Sequence, residues 1–382
     1  MKILFISMPS IHVIRWIENL KDTSFELYWF DVIGRGKLDT IDEVYQFLDL
    51  KKRKIPYIKG EYWLSKKLPT LYDKLQPFLE VTANEALAKI IEEIQPHIVH
   101  SFEMQGCSYP ILKTMNKYPH IKWIYSCWGS DLFYYQQIQR HQNKIKNVLE
   151  RVDYIHTDCE RDAILAKEMG FKGKHLGVIP GGAGYKLEAF EIFKLPLKER
   201  KIILVKGYEH KFGKAINVIK ALAEIKNEIK DFEVVVFGSH QIVREYIIEN
   251  QLPYKCYNRH ELSHAQLMVL MGKSLIYVGN SISDGMPNTL LEAIIMGAFT
   301  IQSNPGNVTS EIIIHNENGY LIENPNDINS ISNLIVSVLH QPVLLKKAFK
   351  INQQIAKDRL AYGVNQQKII DLYQQIENEA CD

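Results

Sequence analysis

Between Ser281 and Asn307 the chain reads SISDGMPNTLLEAIIMGAFTIQSNPGN, with one carboxylate, Asp284, in a loop and a second, Glu292, inside an apolar run of helical period. Pro287 suits a helix start, since its missing N–H costs nothing there and its fixed φ is already helical. The spacing predicts a helix from about Asn288 to Met296, stopped by Gly297. The free N–H groups and positive dipole end of such a helix form a site for phosphate. Glu292 lies one turn past Asn288 and shares its face. A carboxylate accepts two hydrogen bonds side by side, which suits the vicinal 2′ and 3′ hydroxyls of a ribose. Asp284 would meet another part of the same ligand, and diphosphate, ribose and sugar together make a nucleotide sugar. The plainer alternative has Glu292 facing water and Asp284 only capping the helix.

The elements that must position these residues are legible as short β-branched or aromatic runs alternating with segments of helical period, the pattern of parallel strands joined by helical crossovers. The first series is KILFIS, FELYWFD, HIVHS, KWIYSC, DYIHT and LGVIP, with helices in IHVIRWIENL and TANEALAKIIEEIQP. A second series runs through KIILVKG, FEVVVFG, YKCYN, SLIYVG and AFTIQS. Between them IPGGAGYKLEAFEIFKLPLKER has no clear period and reads as the domain boundary, with PGGAG as a hinge. After Asn324 two helical segments follow, DINSISNLIVSVLHQ and AYGVNQQKIIDLYQQIENE. The expected fold class is α/β, with two Rossmann-like doubly wound parallel-sheet domains over residues 1–184 and 185–355. A helical tail covers 356–382. In open sheets of this kind ligands sit at the carboxyl ends of the strands.

Composition agrees. At 382 residues the chain is long enough for two domains at roughly 150 residues each. Its net charge of +2 gives no reason to expect a nucleic-acid partner. No run approaches the ~20 apolar residues of a bilayer span, and MKILFIS reads as a strand. Five scattered cysteines without a C-x-x-C pair indicate neither a disulfide framework nor a zinc site, which suits a reducing cytoplasm. One stretch stands apart. KKRKIPYIKGEYWLSKK, residues 51–67, concentrates Lys51, Lys52, Arg53 and Lys54 with Tyr57, Tyr62 and Trp63 against the single acid Glu61. Basic and aromatic residues so mixed can rest on an anionic membrane surface, peripherally on its inner face. A solvated loop with a few rings turned inward is the other reading.

The stretch NSISDGMPNTLLEAIIMGAFTIQSNPGN, with the later EIIIHNENGYLI, resembles the nucleotide-sugar signature of glycosyltransferase family 4. MKILFISMPSIHVIRWIENL, IQPHIVHS and CWGSDL resemble the family's N-terminal segments more loosely. The resemblance implies a GT-B type fold and transfer with retention from a nucleotide-sugar donor to a glycan or lipid-linked acceptor. Such transfer serves surface polysaccharide or glycoconjugate synthesis. It implies that Asp284 contacts the donor sugar and Glu292 the ribose. Gly285, Met286, Pro287 and Asn288 would approach through backbone, and Thr289 and Leu290 would offer amides to the diphosphate. Two basic residues after the first strand of the second domain would neutralise the leaving diphosphate; VKGYEHKFGKA offers Lys206 and Lys211, with Lys214 a further choice. The tail would pack back across the domain junction.

The chain departs from the pattern at CWGSDL, where Trp128 stands in place of a histidine and cannot exchange a proton near neutrality. Asp131 and His100 are the remaining candidates there, although either can be structural. At SMPSIHVIRW, Ser10, His12 and Arg15 take the place of a Gly-rich turn and would face an acceptor cleft, with Trp16 and Leu20 as core. No Asp-x-Asp triplet occurs, so no metal or other cofactor is expected. An epimerase or a phosphorylase of the same architecture, and a non-catalytic nucleotide-sugar binding protein, are the rival readings.

Overall fold

A computed structural model describes residues 1–48, 52–180 and 183–379. Lys51, Gly181, Gly182 and Cys381 lie outside the described residues. The chain forms two compact units. The first comprises Met1–Asp158, Asp162–Gly182 and Lys368–Asp382, and the second Cys159–Arg161 and Ala183–Gln367.

In the first unit the order is β1 (Lys2–Ser7), α1 (Ile11–Glu18), β2 (Glu26–Asp31), β3 (Tyr45–Phe47), α2 (Glu61–Lys67), α3 (Pro69–Leu79) and α4 (Ala83–Ile94). It continues through β4 (Ile98–Phe102), α5 (Leu112–Met115), β5 (Lys122–Cys127), α6 (Gln139–Arg151), β6 (Tyr154–Thr157), α7 (Glu160–Glu168) and β7 (Lys174–Val178). The strands pair in parallel in the order β3-β2-β1-β4-β5-β6-β7. Leu87, Ile90 and Ile91 of α4 and Ile145, Val148 and Leu149 of α6 cover one face, against Leu4, Ile6, Val99 and Trp123. On the other face Trp16 of α1 and Tyr373 pack on Phe5 and His100.

The second unit runs β8 (Ile202–Lys206), α8 (Ala215–Glu224), β9 (Glu233–Ser239), α9 (Gln241–Glu249), β10 (Lys255–Asn258), α10 (His264–Lys273) and β11 (Ser274–Gly279). There follow α11 (Asn288–Met296), β12 (Phe299–Ser303), β13 (Gly319–Ile322), α12 (Ile328–Leu339), α13 (Pro342–Ile355) and α14 (Tyr362–Glu379). The parallel sheet has the order β10-β9-β8-β11-β12-β13. Helices α8, α9 and α12 bury one face and α10 and α11 the other, so the sheet is doubly wound. In each sheet the strand order reverses once, between β1 and β4 and between β8 and β11. Ligand crevices open at such reversals, outside the carboxyl ends of the strands.

Every strand expected from the sequence is present, and two more join them. β3 and β13 are three and four residues long, too short for a period to show. Residues 61–67, the end of the basic stretch whose plainer reading was a solvated loop, form the helix α2, and α3 follows. From Lys368 onward α14 belongs to the first unit. The phenol of Tyr373 there accepts the indole N–H of Trp16 at 2.8 Å and bonds Nδ1 of His100 at 2.5 Å.

Candidate functional site

In the second unit the loop between β11 and α11 is built to one shape. Gly279 ends β11 where a Cβ would lie 2.1 Å from Oε1 of the buried Gln302, so any side chain there requires Gln302 to move. The Asn280 amide donates to the carbonyls of Lys214 and Pro325, Ser281 N–H donates to Oγ of Ser303, and Ile282 N–H to the Phe212 carbonyl. The loop is thereby tied to the segment that follows β8. As a result Asp284, from after β11, meets Lys206, from the end of β8, with Nζ and Oδ2 3.7 Å apart. That is the switch point of this sheet.

Helix α11 begins at Asn288 and ends at Gly297, whose φ of 75° is the left-handed stop a glycine takes without strain. Pro287 takes the N-cap position with extended backbone, one residue ahead of the first turn. No side chain caps this end with a hydrogen bond, so no capping oxygen offsets the positive end of the helix dipole. One expectation is corrected. The Leu290 amide is not on offer, because it donates to the Pro287 carbonyl at 3.0 Å. Met286 turns its side chain into the core, leaving only backbone for a ligand. Thr289 bonds the buried Tyr277 hydroxyl through Oγ1 at 2.9 Å, and Asn288 Oδ1 accepts from Tyr185 at 3.4 Å.

Glu292 faces neither water nor a hydrocarbon wall. It is 5 % exposed, and its Oε1 lies 2.8 Å from Nε2 of His264, the first residue of α10. The sequence reading missed His264. Its signal was Ser263-x-x-Gln266, the capping box that starts α10 and points the histidine at the site.

Arg161 was also missed. It donates from Nη2 to the Asp284 carbonyl and from Nη1 to the Pro305 carbonyl, both at 2.9 Å. Glu311 accepts the N–H groups of Glu160 and Arg161. The glutamate of the later motif therefore braces the loop that carries Asp284. Its neighbours Asn318 and Gly319 are structural too. The buried Asn318 amide bridges Ile312, Ile314 and Asn352, and a Cβ on Gly319 would sit 2.7 Å from the Thr300 carbonyl.

Of the basic candidates, Lys206 pairs with Asp284. Lys211 is exposed, with Nζ over the Phe212 ring, and Lys214 stands at the start of α8. A further basic residue, Arg259, lies beyond β10. Arg259 and Lys206 lie over the Tyr208 ring at 5.7 and 4.9 Å, and His240 stacks on it. Burial and then His240 hold the His210 imidazole below its ordinary pKa. A groove of about 940 Å³ opens beside them, lined by Ser239, His240, Arg244, Asn258, Arg259 and Glu261 among others.

In the first unit the strand-end residues divide differently. Ser10 caps α1, its Oγ accepting the His12 N–H at 3.2 Å. The His12 ring meets Trp128 edge-on at 5.3 Å, with Phe102 on Trp128 at 5.2 Å. Arg15 is part-buried on α1 in its last turn, where its carbonyl accepts the Asn19 amide. His100 is corrected: it is fully buried, with Nδ1 on Tyr373 and Nε2 on Ser126. Burial and then His156 hold its pKa well below the ordinary value. A neutral ring with both nitrogens committed inside the core touches no substrate. Asp131 is corrected likewise. Its Oδ2 accepts the N–H groups of Met104 and Trp128 and the Tyr125 hydroxyl, and burial, aided by Glu103, raises its pKa well above the carboxylate range. It organises the loops after β4 and β5. Glu103 itself, directly after β4, holds φ 77°, and its carboxylate accepts the N–H groups of Gln105 and Gly106. Such strain in a non-glycine residue persists only where its surroundings demand it.

Two doubly wound parallel sheets, the second with an acid, a lysine and a bare helix end at its switch point, define the GT-B class. Residues 2–158 match the family model described as "Glycosyl transferase 4-like", and residues 186–358 match "Glycosyl transferases group 1". The chain belongs to the glycosyltransferases of this family 4 type, and is an enzyme of glycosyl transfer. No curated protein matches it in sequence. Among solved structures it is similar to sucrose-phosphate synthase from Thermosynechococcus elongatus, at 18 % identity and a TM-score of 0.74 over 99 % of both chains. A glycosyltransferase from Rickettsia africae follows at 16 % identity and 0.68 over 98 % of both. Anabaena HepE, solved with UDP and glucose, is 12 % identical with a TM-score of 0.69, over 98 % of this chain and 100 % of that one. At these identities the likeness is one of fold.

Proposed function

We propose that this glycosyltransferase takes its sugar from a nucleotide-sugar donor bound by the second unit. It passes the sugar, with retention of anomeric configuration, to a glycan or lipid-linked acceptor met by the first unit. The product belongs to a surface polysaccharide or glycoconjugate made on the cytoplasmic side of a membrane. The observation that carries this reading is the Lys206–Asp284 pair at 3.7 Å, placed at the β8/β11 reversal beside the uncapped N-terminus of α11. UDP and glucose in the HepE structure, on the same fold, support a nucleoside diphosphate donor.

The roles follow from charge and reach. As the bond from the anomeric carbon to the diphosphate breaks, negative charge grows on the leaving oxygens. Lys206 and the positive dipole end of α11 at Thr289 are positioned to hold it without reorganising. Asp284 accepts from hydroxyls of the donor sugar, with Lys206 beside it. Glu292 exchanges its bond to His264 for the ribose hydroxyls. The acceptor oxygen attacks from the face the diphosphate leaves, and the acceptor proton goes to the departing diphosphate, so no covalent glycosyl-enzyme forms. Lysine and helix end supply the positive charge, so a chelator leaves the rate unchanged.

A thermal-shift screen of nucleotide sugars tests the donor class, since a ligand at ~100 times its dissociation constant stabilises by roughly 2.7 kcal/mol. A panel in which no nucleotide sugar raises the melting temperature overturns the reading. Proton NMR of the first product decides its stereochemistry, and an inverted anomer or a trapped adduct overturns retention by same-face attack.

A further inference from the structure

The hairpin α2–α3 is built inside out. Along α3 the residues Leu71, Leu75 and Phe78 recur at helical spacing and would ordinarily be read as the buried stripe, yet all three are exposed, Phe78 at 73 %. The adjoining face, Tyr72, Gln76 and Leu79, turns inward, and its hydrogen bonds are to acids, Tyr72 to Glu61 and Gln76 to Glu80. Tyr72 donates to Glu61, and Glu61 receives Arg53 through both guanidinium nitrogens at 2.6 and 2.8 Å. Lys54 reaches Glu85 and the Pro77 carbonyl. Arg53 and Lys54, expected among the membrane-facing cations, are therefore the braces that hold the hairpin in this orientation. On α2, Tyr62 and Trp63 are exposed at 77 % and 59 %, and Tyr57 in the preceding loop at 80 %. Lys52, Lys59, Lys66, Lys67 and Lys74 are exposed among these rings and leucines.

We infer that this hairpin docks the enzyme on an anionic lipid surface, with Trp63, Tyr62 and Phe78 entering the headgroup boundary and the lysines meeting the lipid phosphates. Tyrosine and tryptophan, each an apolar body with a polar tip, suit the membrane interface, and lysine adds attraction to acidic lipids. The lysine flank is what favours lipid over a second copy of this chain, since like charges would face each other across a self-paired surface. The inference does not depend on which donor the second unit takes.

The test uses the full-length enzyme and vesicles of phosphatidylcholine with or without an equal share of phosphatidylglycerol. The expected result is sedimentation with the anionic vesicles at low salt, weakened at high salt, and quenching of tryptophan emission by lipids brominated in the acyl chains. Trp16, Trp29 and Trp123 are fully buried and Trp128 is half-buried against His12 and Phe102, so Trp63→Phe should remove most of the quenching. Leu71→Ser with Phe78→Ser should lower vesicle partitioning by about tenfold or more, while the thermal shift given by the donor stays as in wild type. Wild-type protein that remains in the supernatant with anionic vesicles at low salt overturns the inference. So does a self-associating chain whose dimer, rather than vesicle binding, is lost in the Phe78→Ser variant. Loss of the donor shift in wild type would count against the proposed function and leave the docking result standing.

Discussion

Replacing Glu292 by alanine removes the carboxylate assigned to the ribose. The group is nearly closed off from solvent, and its one recorded partner, His264 at 2.8 Å, has a side chain 43 % exposed. Freed of Glu292, that imidazole can turn to water, so the fold should lose little. The donor loses two hydrogen bonds to a charged acceptor. Each is worth about 1.5–3 kcal/mol before the cost of breaking the His264 bond, which leaves a net loss of roughly 3 kcal/mol. That is about 100-fold in the dissociation constant. Isothermal titration with the donor nucleotide reads this directly. The same nucleotide lacking its 2′ hydroxyl sharpens it, because wild type should discriminate against the deoxy form and Glu292→Ala should not. If the interaction is made equally in ground and transition states, kcat/KM falls by the same factor while kcat at saturation changes little. An affinity within about threefold of wild type, with deoxy discrimination intact and an unchanged melting temperature, would refute the assignment and send the ribose elsewhere.

Three further outcomes are expected. Arg161→Ala frees the Asp284 and Pro305 carbonyls and should raise the donor KM about tenfold, the loss of two charge-assisted bonds partly replaced by water; steady-state kinetics with an unchanged KM would remove Arg161 from the positioning of that loop. Gly319→Ala pushes a Cβ to 2.7 Å from the Thr300 carbonyl across the β12–β13 pairing and should cost about 1–3 kcal/mol by chemical denaturation. Acid should weaken the first unit through its buried histidines. His156 is pushed down to about 3, by burial and then His175, and His100 well below its ordinary value. Both are neutral in the fold and take up protons on unfolding. Their contribution is complete above the unfolded pKa of about 6.5 and is lost as pH falls from there toward 3, at about 1.4 kcal/mol per histidine per pH unit. Denaturation melts at pH 7.5 and 5.5 should show the loss, and His156→Gln should flatten it.

Much of the fold was legible because parallel strands buried on both faces are near-continuous apolar runs. KILFIS, SLIYVG and AFTIQS announce themselves in one line of sequence, and so does a helix opened by Pro287 and closed by Gly297. β3 and β13 were not legible, being shorter than any period that could reveal them. The hairpin α2–α3 was not legible for a subtler reason. Periodicity states that Leu71, Leu75 and Phe78 share a face, but not whether that face looks inward.

The candidate site divides along the same line. Amino-acid order alone determined that Asp284 precedes a helix N-terminus and that Glu292 lies one turn inside it, because loop, proline and helical period are local. Only the tertiary structure decided which lysine joins Asp284, that His264 guards Glu292, and that Arg161 holds the loop. It also decided that His100 and Asp131 serve the core rather than a substrate. Those outcomes depend on which strands neighbour one another at the β8/β11 and β1/β4 reversals. Strand adjacency is settled by packing between segments far apart in the chain, and no local pattern encodes it.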